Sequence, residues 1–180
     1  LIARSSLRLC VSVVNVIWNY MSEPALNALD ALGIAYTLHE HPPVFTVEEA
    51  EAHWAGIPAA HCKNLFLRNQ KGTRHYLVVL DHRKQADLKK LAQKIGDDRL
   101  SFASPERLLE HLGLTPGAVS PMGLIHPGAR DVIVVLDADL LTSERVGFHP
   151  NRNTATITVA TADFLRFLES TKNIVRRLTL

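Results

Sequence analysis

Residues 61–68 read His61-Cys62-Lys63-Asn64-Leu65-Phe66-Leu67-Arg68, and the organisation of the chain follows from this stretch. A second apolar run, residues 76–80, comes after a polar turn that ends in glycine, residues 69–72. Two apolar runs around such a turn predict a β-hairpin. Lys63 would stand where the first strand leaves a loop, and it would place a fixed positive charge in a pocket. Since lysine is rarely buried, an exposed lysine at a strand start is the simpler interpretation of this residue alone.

The length and composition are those of one ordinary globular domain. The chain has 180 residues, and its net charge of +2 is small. This charge does not indicate a polybasic nucleic-acid binder, so any contact with RNA must be local. The two cysteines, Cys10 and Cys62, provide no disulfide framework. They favour a reduced, cytoplasmic protein.

Residues 1–20 differ from the rest of the chain. Arg4 and Arg8 precede an apolar run that resembles a signal peptide, but bulky residues follow where a cleavage site would be expected. The run is too short and too polar for a membrane span. We expect an extension outside the fold, produced by a start codon assigned too far upstream or by an added segment, with a targeting segment as the alternative. Residues 21–180 then form the domain.

Helices and strands are mixed along residues 21–180 without a regular βαβ alternation. Capping residues and apolar spacing predict helices over residues 22–33, 46–54, 85–95, 104–112 and 161–170, with Ser22, Thr46, Ser104 and Thr161 as N-caps. Strands are predicted over residues 34–40, 65–67, 76–80, 100–103, 131–136, 145–149 and 154–159. The pattern predicts one α/β domain with a mixed, largely antiparallel central sheet flanked by helices.

Four lysines, Lys84, Lys89, Lys90 and Lys94, give the helix predicted over residues 85–95 a basic outer side. A solvated helix face is the simpler interpretation, and a strip that faces RNA is the alternative.

Known catalytic signatures are missing from the sequence, which has no Walker loop, no dinucleotide fingerprint and no Gly-x-Ser-x-Gly elbow. The local pairs His39 with His41 and His61 with Cys62 lack the paired spacing of a structural zinc site, so no metal or cofactor is predicted. Cys62 with a histidine base would be a nucleophile. A cysteine beside a strand is more often a small buried hydrophobic residue.

A glycine–proline loop, Gly117-Ala118-Val119-Ser120-Pro121, is a stronger candidate for a binding element. Glycine lets a ligand approach the main chain, and Pro121 fixes its own φ while restricting Ser120. Such a loop can aim backbone N–H groups at a carbonyl, as an oxyanion site does. An ordinary surface turn is the alternative. His149 and Asn151 flank a proline in a second turn, which suits asparagine.

Five stretches taken together resemble the YbaK and prolyl-tRNA editing superfamily, and most closely its ProX-type alanyl-tRNA(Pro) deacylases. The resemblance extends from about Met21 to the C-terminus. Each stretch alone is weakly specific, whereas five in this order and spacing are strongly so. They are Pro42-Pro43-Val44-Phe45-Thr46, residues 62–67, Leu100-Ser101-Phe102-Ala103-Ser104-Pro105-Glu106, Thr115-Pro116-Gly117-Ala118-Val119-Ser120-Pro121, and Phe148-His149-Pro150-Asn151.

The resemblance implies a fold of the kind predicted above and a trans-editing ester hydrolase that removes alanine from mischarged tRNA(Pro). It implies that Lys63 anchors the aminoacyl-adenosine end as the catalytic residue. It implies a substrate site built from Thr46, Asn64, Gly117, Ala118, Val119, Ser120, Pro121, His149 and Asn151. Gly117 and Pro121 match the Gly-x-x-x-Pro loop of that family beside the aminoacyl group. No side chain is an obvious general base.

The implied partners are tRNA(Pro) carrying alanine and, as a further partner, prolyl-tRNA synthetase, with no DNA and no membrane. The implied location is the cytoplasm, and translation fidelity is the implied role. Two alternatives remain open. One is another aminoacyl specificity, such as cysteinyl- or seryl-tRNA. The other is a non-catalytic module that binds tRNA or a synthetase with the same fold.

Overall fold

The computed structural model describes residues 24–44 and 46–180, with every side chain in these ranges except that of Val47. The extension predicted for residues 1–20 and the Ser22 cap lie outside the described residues. They stay predictions.

Eight strands form one mixed sheet in the described part of the chain. They are β1 (Tyr36–Glu40), β2 (Ala60–Asn69), β3 (His75–Asp81), β4 (Leu100–Phe102), β5 (Ile133–Asp137), β6 (Arg145–Phe148), β7 (Ala155–Ala160) and β8 (Val175–Leu178). The order across the sheet is β1-β7-β6-β2-β3-β5-β8, and β4 pairs with β2. Among the described residues, four pairings are antiparallel and three are parallel. The predicted fold class is therefore confirmed.

Five α-helices lie on the two faces of this sheet. They are α1 (24–31), α2 (Val47–Trp54), α3 (Leu88–Ile95), α4 (Pro105–Leu112) and α5 (Thr161–Ser170). Three short 3-10 helices, Pro121–Ile125, Pro127–Ala129 and Ala138–Thr142, connect the later strands. None of the helices in residues 24–44 and 46–180 has the length and apolar character needed to cross a membrane.

The sheet is buried on both faces because helices cover both. Every residue of β3 is buried, which is typical of a strand with no solvent side. Leu77 and Val79 face a core that also contains residues of α1, α4 and α5, whereas Val78 and Leu80 face a second core under α3. The side chains alternate between the two cores because successive residues of a strand point to opposite faces.

The predicted hairpin is present, but its first strand begins earlier than expected. β2 starts at Ala60, so Lys63 is the fourth residue of a ten-residue strand and lies opposite Leu80 of β3. The prediction that Lys63 stands at the start of a strand is therefore wrong, because Lys63 lies inside β2. Near Lys63 the residues of β2 do not alternate regularly between buried and exposed. For this reason the apolar run, residues 65–67, indicated only the middle of the strand.

Several boundaries depend on caps that the sequence indicates correctly. Thr46 and Ser104 accept hydrogen bonds from the backbone of Glu49 and Arg107, and Pro105 opens α4. Thr161 differs from the prediction, because it is the first residue of α5 and its hydroxyl donates to the carbonyl oxygen of Ser143 instead of capping the helix.

Two further elements depart from the prediction. The helix predicted from residue 85 begins at Leu88, because Asp87 caps it by accepting from the backbone N–H groups of Lys89 and Lys90. β8 was not predicted. It pairs in parallel with β5, and its two central residues, Arg176 and Arg177, are exposed and charged.

A gap in the sheet beside β2 positions the candidate site. On one side β2 pairs with β3 along residues 62–68. On its other side, residues 60 and 61 pair with β6, and residues 67–69 pair with β4. No described strand pairs with residues 62–65 on that second side. The middle of β2 therefore presents an open edge between β6 and β4, and Lys63 and Asn64 lie in it.

Candidate active site

A pocket of about 160 Å³ lies at the open edge of β2. Four parts of the chain build it: the segment that contains α2, the middle of β2, the glycine–proline loop, and the turn between β6 and β7. Its lining consists of Val44, Thr46, Ala50, Trp54, Cys62, Lys63, Asn64, Gly117, Val119 and His149. Elements that are distant in sequence thus bring six of the predicted site residues to one place: Thr46, Lys63, Asn64, Gly117, Val119 and His149.

Lys63 supplies the positive charge of the pocket. Its side chain is half-buried, and among the described residues it has no hydrogen-bond or ion-pair partner. A lysine that is partly desolvated and unpaired remains available to an anionic ligand, because no carboxylate of the described chain neutralises it.

The glycine–proline loop is fixed against β2 and against the turn after β6. The side-chain amide of Asn64 donates a hydrogen bond to the carbonyl oxygen of Val119 (3.1 Å). The hydroxyl of Ser120 donates to the carbonyl oxygen of His149 and accepts from the backbone of Met122. Gly117 has a φ of 88°, a left-handed backbone conformation that strongly favours glycine. The backbone of the loop is therefore held in place beside the pocket.

His149 presents an acceptor nitrogen at the pocket. Its Nδ1 lies 2.9 Å from the carbonyl oxygen of Ala155, so this nitrogen carries the proton and donates. Burial lowers the pKa of His149 below its ordinary value of 6.5, and the ring is neutral at pH 7. In this tautomer Nε2 has a free lone pair, which can accept a hydrogen bond or a proton.

The apolar wall of the pocket is a small separate cluster formed by Val44, Ala50 and Trp54. The indole of Trp54 stacks on the ring of His61, with 4.4 Å between centroids and an interplanar angle of 6°. Its Nε1 donates to the hydroxyl of Thr156 over 3.2 Å. Trp54 is therefore fixed in both position and orientation, and the pocket has a rigid apolar side.

Gly147 makes room for the ring that supports Trp54. A Cβ at this position would lie 2.8 Å from Nδ1 of His61, closer than side-chain atoms tolerate. A glycine in β6 thus allows the imidazole to lie flat between the strand and the indole.

Cys62 lies in the pocket lining, but it is not poised to be a nucleophile. Burial raises the pKa of its thiol, so the reactive thiolate is not populated near neutral pH. Its Sγ lies 3.7 Å from the carbonyl oxygen of Ala60. These observations favour the interpretation of Cys62 as a small buried residue. Within residues 24–44 and 46–180, no three His, Cys, Asp or Glu side chains are placed to hold a metal ion.

Comparison with protein families matches residues 41–167 to the aminoacyl-tRNA editing domain. The chain belongs to the aminoacyl-tRNA editing domain family. The match covers the pocket-lining residues of the α2 segment, β2, the glycine–proline loop and the β6–β7 turn, so the geometry described above is the geometry of an editing domain.

Curated relatives and a solved structure agree with this assignment. The prolyl-tRNA editing protein ProX of Acetoanaerobium sticklandii is 44% identical over 152 residues, which are 84% of this chain and 93% of that protein. The prolyl-tRNA synthetase associated domain-containing protein 1 of Bos taurus is 40% identical over 79% of this chain and 85% of its own length. The crystal structure of a proposed trans-editing enzyme for prolyl tRNA synthetase superposes with a TM-score of 0.67 at 25% identity, covering 88% of this chain and 96% of that one.

A more distant relative is a deacylase of seryl- and threonyl-tRNA. The multifunctional Ser/Thr-tRNA deacylase ProXp-y of Escherichia coli is 33% identical over 117 residues, which are 63% of this chain and 65% of that protein.

Four of the predicted site residues lie beside the lining of the editing-domain pocket. Ala118, Ser120 and Pro121 are buried in the loop that Gly117 begins, and they are not part of the cavity lining. Asn151 is buried in the β6–β7 turn with a φ of 63°. Their roles, like the roles of the six residues in the lining, stay predictions.

Sequence reasoning did not assign the apolar wall of the editing domain. Val44 and the pair Ala50 and Trp54 line the pocket, and the last two are four residues apart on one face of α2. This spacing next to the Thr46 cap was a usable signal, because residues four apart on a helix lie on the same side. Cys62 was weighed only as a nucleophile or as a core residue.

Proposed function

We propose that this chain is an aminoacyl-tRNA deacylase that acts in trans and hydrolyses the ester bond of alanyl-tRNA(Pro). The observation that carries the proposal is the pocket at the open edge of β2, where an unpaired lysine, a loop that begins with a left-handed glycine and a neutral histidine meet. The similarity to a prolyl-tRNA editing protein over 84% of the chain supports the same activity.

The selectivity of such an enzyme has a simple physical basis. A synthetase pocket sized for proline cannot strongly exclude alanine, because missing methylene groups are worth only about 1–3 kcal/mol. A second site that is too small for proline then removes the wrong amino acid. The apolar side of the pocket consists of Val44, Ala50 and the fixed Trp54. In this proposal these side chains pack on the methyl group of alanine, and the rigid wall that they form excludes the proline ring by shape.

Lys63 serves the charged part of the reaction. The terminal adenosine of a tRNA brings phosphate to the pocket mouth, and the ester carbonyl gains negative charge when water attacks it. An unpaired ammonium group at the open edge of β2 attracts both charges. The backbone at Gly117 and Val119, which line the cavity, holds the alanyl group.

His149 is the residue best suited to orient the attacking water. Its Nε2 is unprotonated while Nδ1 is held by Ala155, so it accepts a hydrogen bond from the water. The water oxygen forms a bond to the carbonyl carbon, the bond to the ribose oxygen breaks, and one proton passes to that ribose oxygen. An aminoacyl ester is already activated, so the site needs a placed water and charge stabilisation more than a strong nucleophile.

The proposed activity implies two partners and a location in the cell. The substrate partner is tRNA(Pro) carrying alanine, and prolyl-tRNA synthetase is a second partner. The protein would work in the cytoplasm, where tRNA is charged and mischarged. No DNA and no membrane enter the proposal.

A panel of mischarged tRNAs tests the proposed function. Purified protein is incubated with alanyl-, cysteinyl- and seryl-tRNA(Pro), and the remaining ester is followed over time against a blank without protein. We expect fastest hydrolysis of the alanyl form. A preference for seryl-tRNA would instead place the chain with its Ser/Thr relative, and that similarity is the observation that favours this second candidate. Binding of tRNA without hydrolysis of any ester would contradict the enzyme assignment and favour a non-catalytic module.

A further inference from the structure

A second cleft, of about 230 Å³, lies where β2 ends and β4 begins. It is lined by Arg68, Gln70, Arg99 and Ser101, and we call it the arginine cleft. Arg68 and Ser101 are directly opposite each other in the pairing of β2 with β4. The arginine cleft is therefore built on regular strands at its centre, with the β2–β3 turn on one side.

The two arginines of this cleft have no acidic partner in the described part of the chain. Arg68 donates through Nη1 to the carbonyl oxygens of Asn69 (3.2 Å) and Gln70 (3.1 Å), which fixes its guanidinium and leaves its other donors unused. Arg99 is exposed and forms no ion pair among the described residues. Two guanidinium groups without a carboxylate favour a phosphate ligand, because the planar fork of donors matches phosphate oxygens.

The nearby acidic residues do not cancel this charge. Asp97 accepts from the hydroxyl of Tyr76 and lies 3.6 Å from Arg74, so its carboxylate is already paired. Asp98 is exposed, and it is the one acidic neighbour of Arg99 in sequence. Lys71 in the β2–β3 turn is exposed as well and adds positive charge to the same end of β2.

An exposed aromatic ring lies across the edge strand β4 from the arginine cleft. Phe102 follows Ser101 on β4 and is 62% exposed. Because Phe102 pairs with Leu67 whereas Ser101 pairs with Arg68, its ring points to the face of β4 opposite the cleft. Exposed phenylalanine next to arginine is the combination with which proteins bind single-stranded nucleic acid, because bases and riboses pack on the ring while cations hold the phosphates. The stretch 100–106 was singled out in the sequence, and the pocket makes no use of it.

The distance along β2 fits this interpretation. Arg68 is five residues beyond Lys63 on the same strand, which is about 17 Å at the rise of an extended chain. The odd spacing directs the two side chains to opposite faces, so a chain that joins them passes around the edge strand β4. An unpaired RNA end whose last residue lies at Lys63 spans that distance with a few nucleotides.

The four lysines in and before α3 are a weaker choice for an RNA surface, because three of them have partners within the protein. Lys84 is paired with Asp137 (2.8 Å) and Asp139 (2.6 Å). Lys90 lies 3.7 Å from Asp87, and Lys94 donates to the carbonyl oxygen of Thr179.

We propose that the arginine cleft, together with Phe102 on the other face of the edge strand β4, binds the sugar–phosphate backbone and an unpaired base of the acceptor end of the tRNA whose terminal ester lies at Lys63. The inference rests on the proposed function and adds to it a surface outside the pocket. Arg68 and Arg99 hold phosphates, and Phe102 stacks on a base or ribose. The cleft adds affinity only for a substrate that carries a polynucleotide chain. A short ester has no such chain and gains nothing from the cleft.

Two substrates separate the cleft from the pocket. One is alanyl-tRNA(Pro), and the other is the alanyl ester of adenosine, which fills the pocket but cannot reach Arg99. We expect Arg99→Glu to lower kcat/KM on the tRNA at least about tenfold, and Phe102→Ala about fivefold, the lower limit for loss of one stacked base. Both variants should cleave the adenosine ester within twofold of the original protein. Arg99→Ala should also make kcat/KM on the tRNA less sensitive to salt concentration. The decrease in the slope should be that expected for loss of about one phosphate contact.

Matched controls are available on the far edge of the sheet. Arg177 is an exposed arginine on β8, and Ile174 is exposed to the same 62% as Phe102. Arg177→Glu and Ile174→Ala should leave the turnover of both substrates unchanged. Phe102→Trp should keep the turnover of the tRNA that Phe102→Ala loses. Melting curves confirm that each variant is folded.

Several outcomes would overturn the cleft proposal. In one, Arg99→Glu and Phe102→Ala cleave alanyl-tRNA(Pro) as well as the two controls do. In another, the variants lose turnover only when prolyl-tRNA synthetase is present, which would make the cleft a protein interface. If the original protein hydrolyses no ester, the proposed function fails separately. Anisotropy with labelled, uncharged tRNA(Pro) then still tests the cleft, with weaker binding by Arg99→Glu expected and equal binding contradicting it.

Discussion

The side-chain amide of Asn64 lies 3.1 Å from the carbonyl oxygen of Val119 and donates a hydrogen bond to it. This contact joins the open edge of β2 to the glycine–proline loop across 55 residues of sequence. A neutral hydrogen bond of this kind contributes about 1 kcal/mol. Its greater effect is geometric, because it sets the width of the pocket between Lys63 and Gly117.

The conformation of Gly117 should be necessary for activity. We expect Gly117→Val to lower deacylation of alanyl-tRNA(Pro) at least about tenfold, because a side chain at a φ of 88° is strained by about 1–3 kcal/mol and fills the cavity. Gly96→Val is the matched control, since Gly96 has a φ of 73° and open space around it at the end of α3. Similar activity of the two variants would contradict the assigned role of the loop.

Lys63 should contribute charge stabilisation. Lys63→Ala is expected to lower kcat/KM on alanyl-tRNA(Pro) at least about tenfold, or about 1.4 kcal/mol of transition-state stabilisation. Lys89→Ala, which removes an exposed lysine from α3, should have no effect. Steady-state kinetics and melting curves provide the measurement. A well-folded Lys63→Ala protein with near-normal turnover would refute the role given to Lys63.

Cys62 should be dispensable for chemistry although it lines the pocket. Burial raises the pKa of its thiol, so Cys62→Ala should retain at least half of the activity. Truncation of a buried cysteine leaves a small cavity, and a modest loss of stability is expected in thermal melting. An inactive Cys62→Ala protein of normal stability would restore the nucleophile hypothesis.

Stability should fall as the pH decreases from about 6.5 to about 4. Burial lowers the pKa of His61 and of His75 to about 4 in the folded protein, from an ordinary 6.5. Below pH 6.5 the unfolded chain therefore binds protons that the folded chain rejects, and unfolding becomes more favourable. Urea titrations at pH 7, 6, 5 and 4.5 measure the free energy of unfolding.

His61→Phe isolates one contribution to this pH dependence. Phenylalanine keeps an aromatic ring against Trp54 and does not titrate, so the free energy of unfolding should depend less steeply on pH between 6.5 and 4. Asp81, whose pKa Arg83 holds at about 2, titrates below this range. An equal slope in the two proteins would show that His61 is not buried as a neutral ring.

Much of the fold could be predicted from the sequence because its signals are local. The Thr46 and Ser104 caps and Pro105 depend on neighbours a few residues away, and they were read correctly. The start of β2 could not be located from its apolar run, because Ala60 and His61 are fixed by parallel pairing with β6, more than 80 residues later. β8 was missed because Arg176 and Arg177 hide the apolar pattern of an edge strand.

The candidate site also contains some residues that the sequence indicates and others that it does not. Lys63, Asn64 and Gly117 stand in motifs that a resemblance can identify, and the structure brings them together. Trp54 is part of no such motif. It enters the pocket because His61 and Thr156 hold the indole there, and these contacts across the fold are invisible in a single sequence.

The central claim is that this pocket removes alanine and spares proline by size. Parallel time courses with the unmodified protein, on alanyl-tRNA(Pro) and prolyl-tRNA(Pro) at equal concentration, test it most directly. We expect rapid loss of the alanyl ester, while the prolyl ester decays no faster than it does without protein. Comparable rates on the two substrates would show that the pocket does not select by size, whatever the Lys63 and Gly117 variants do.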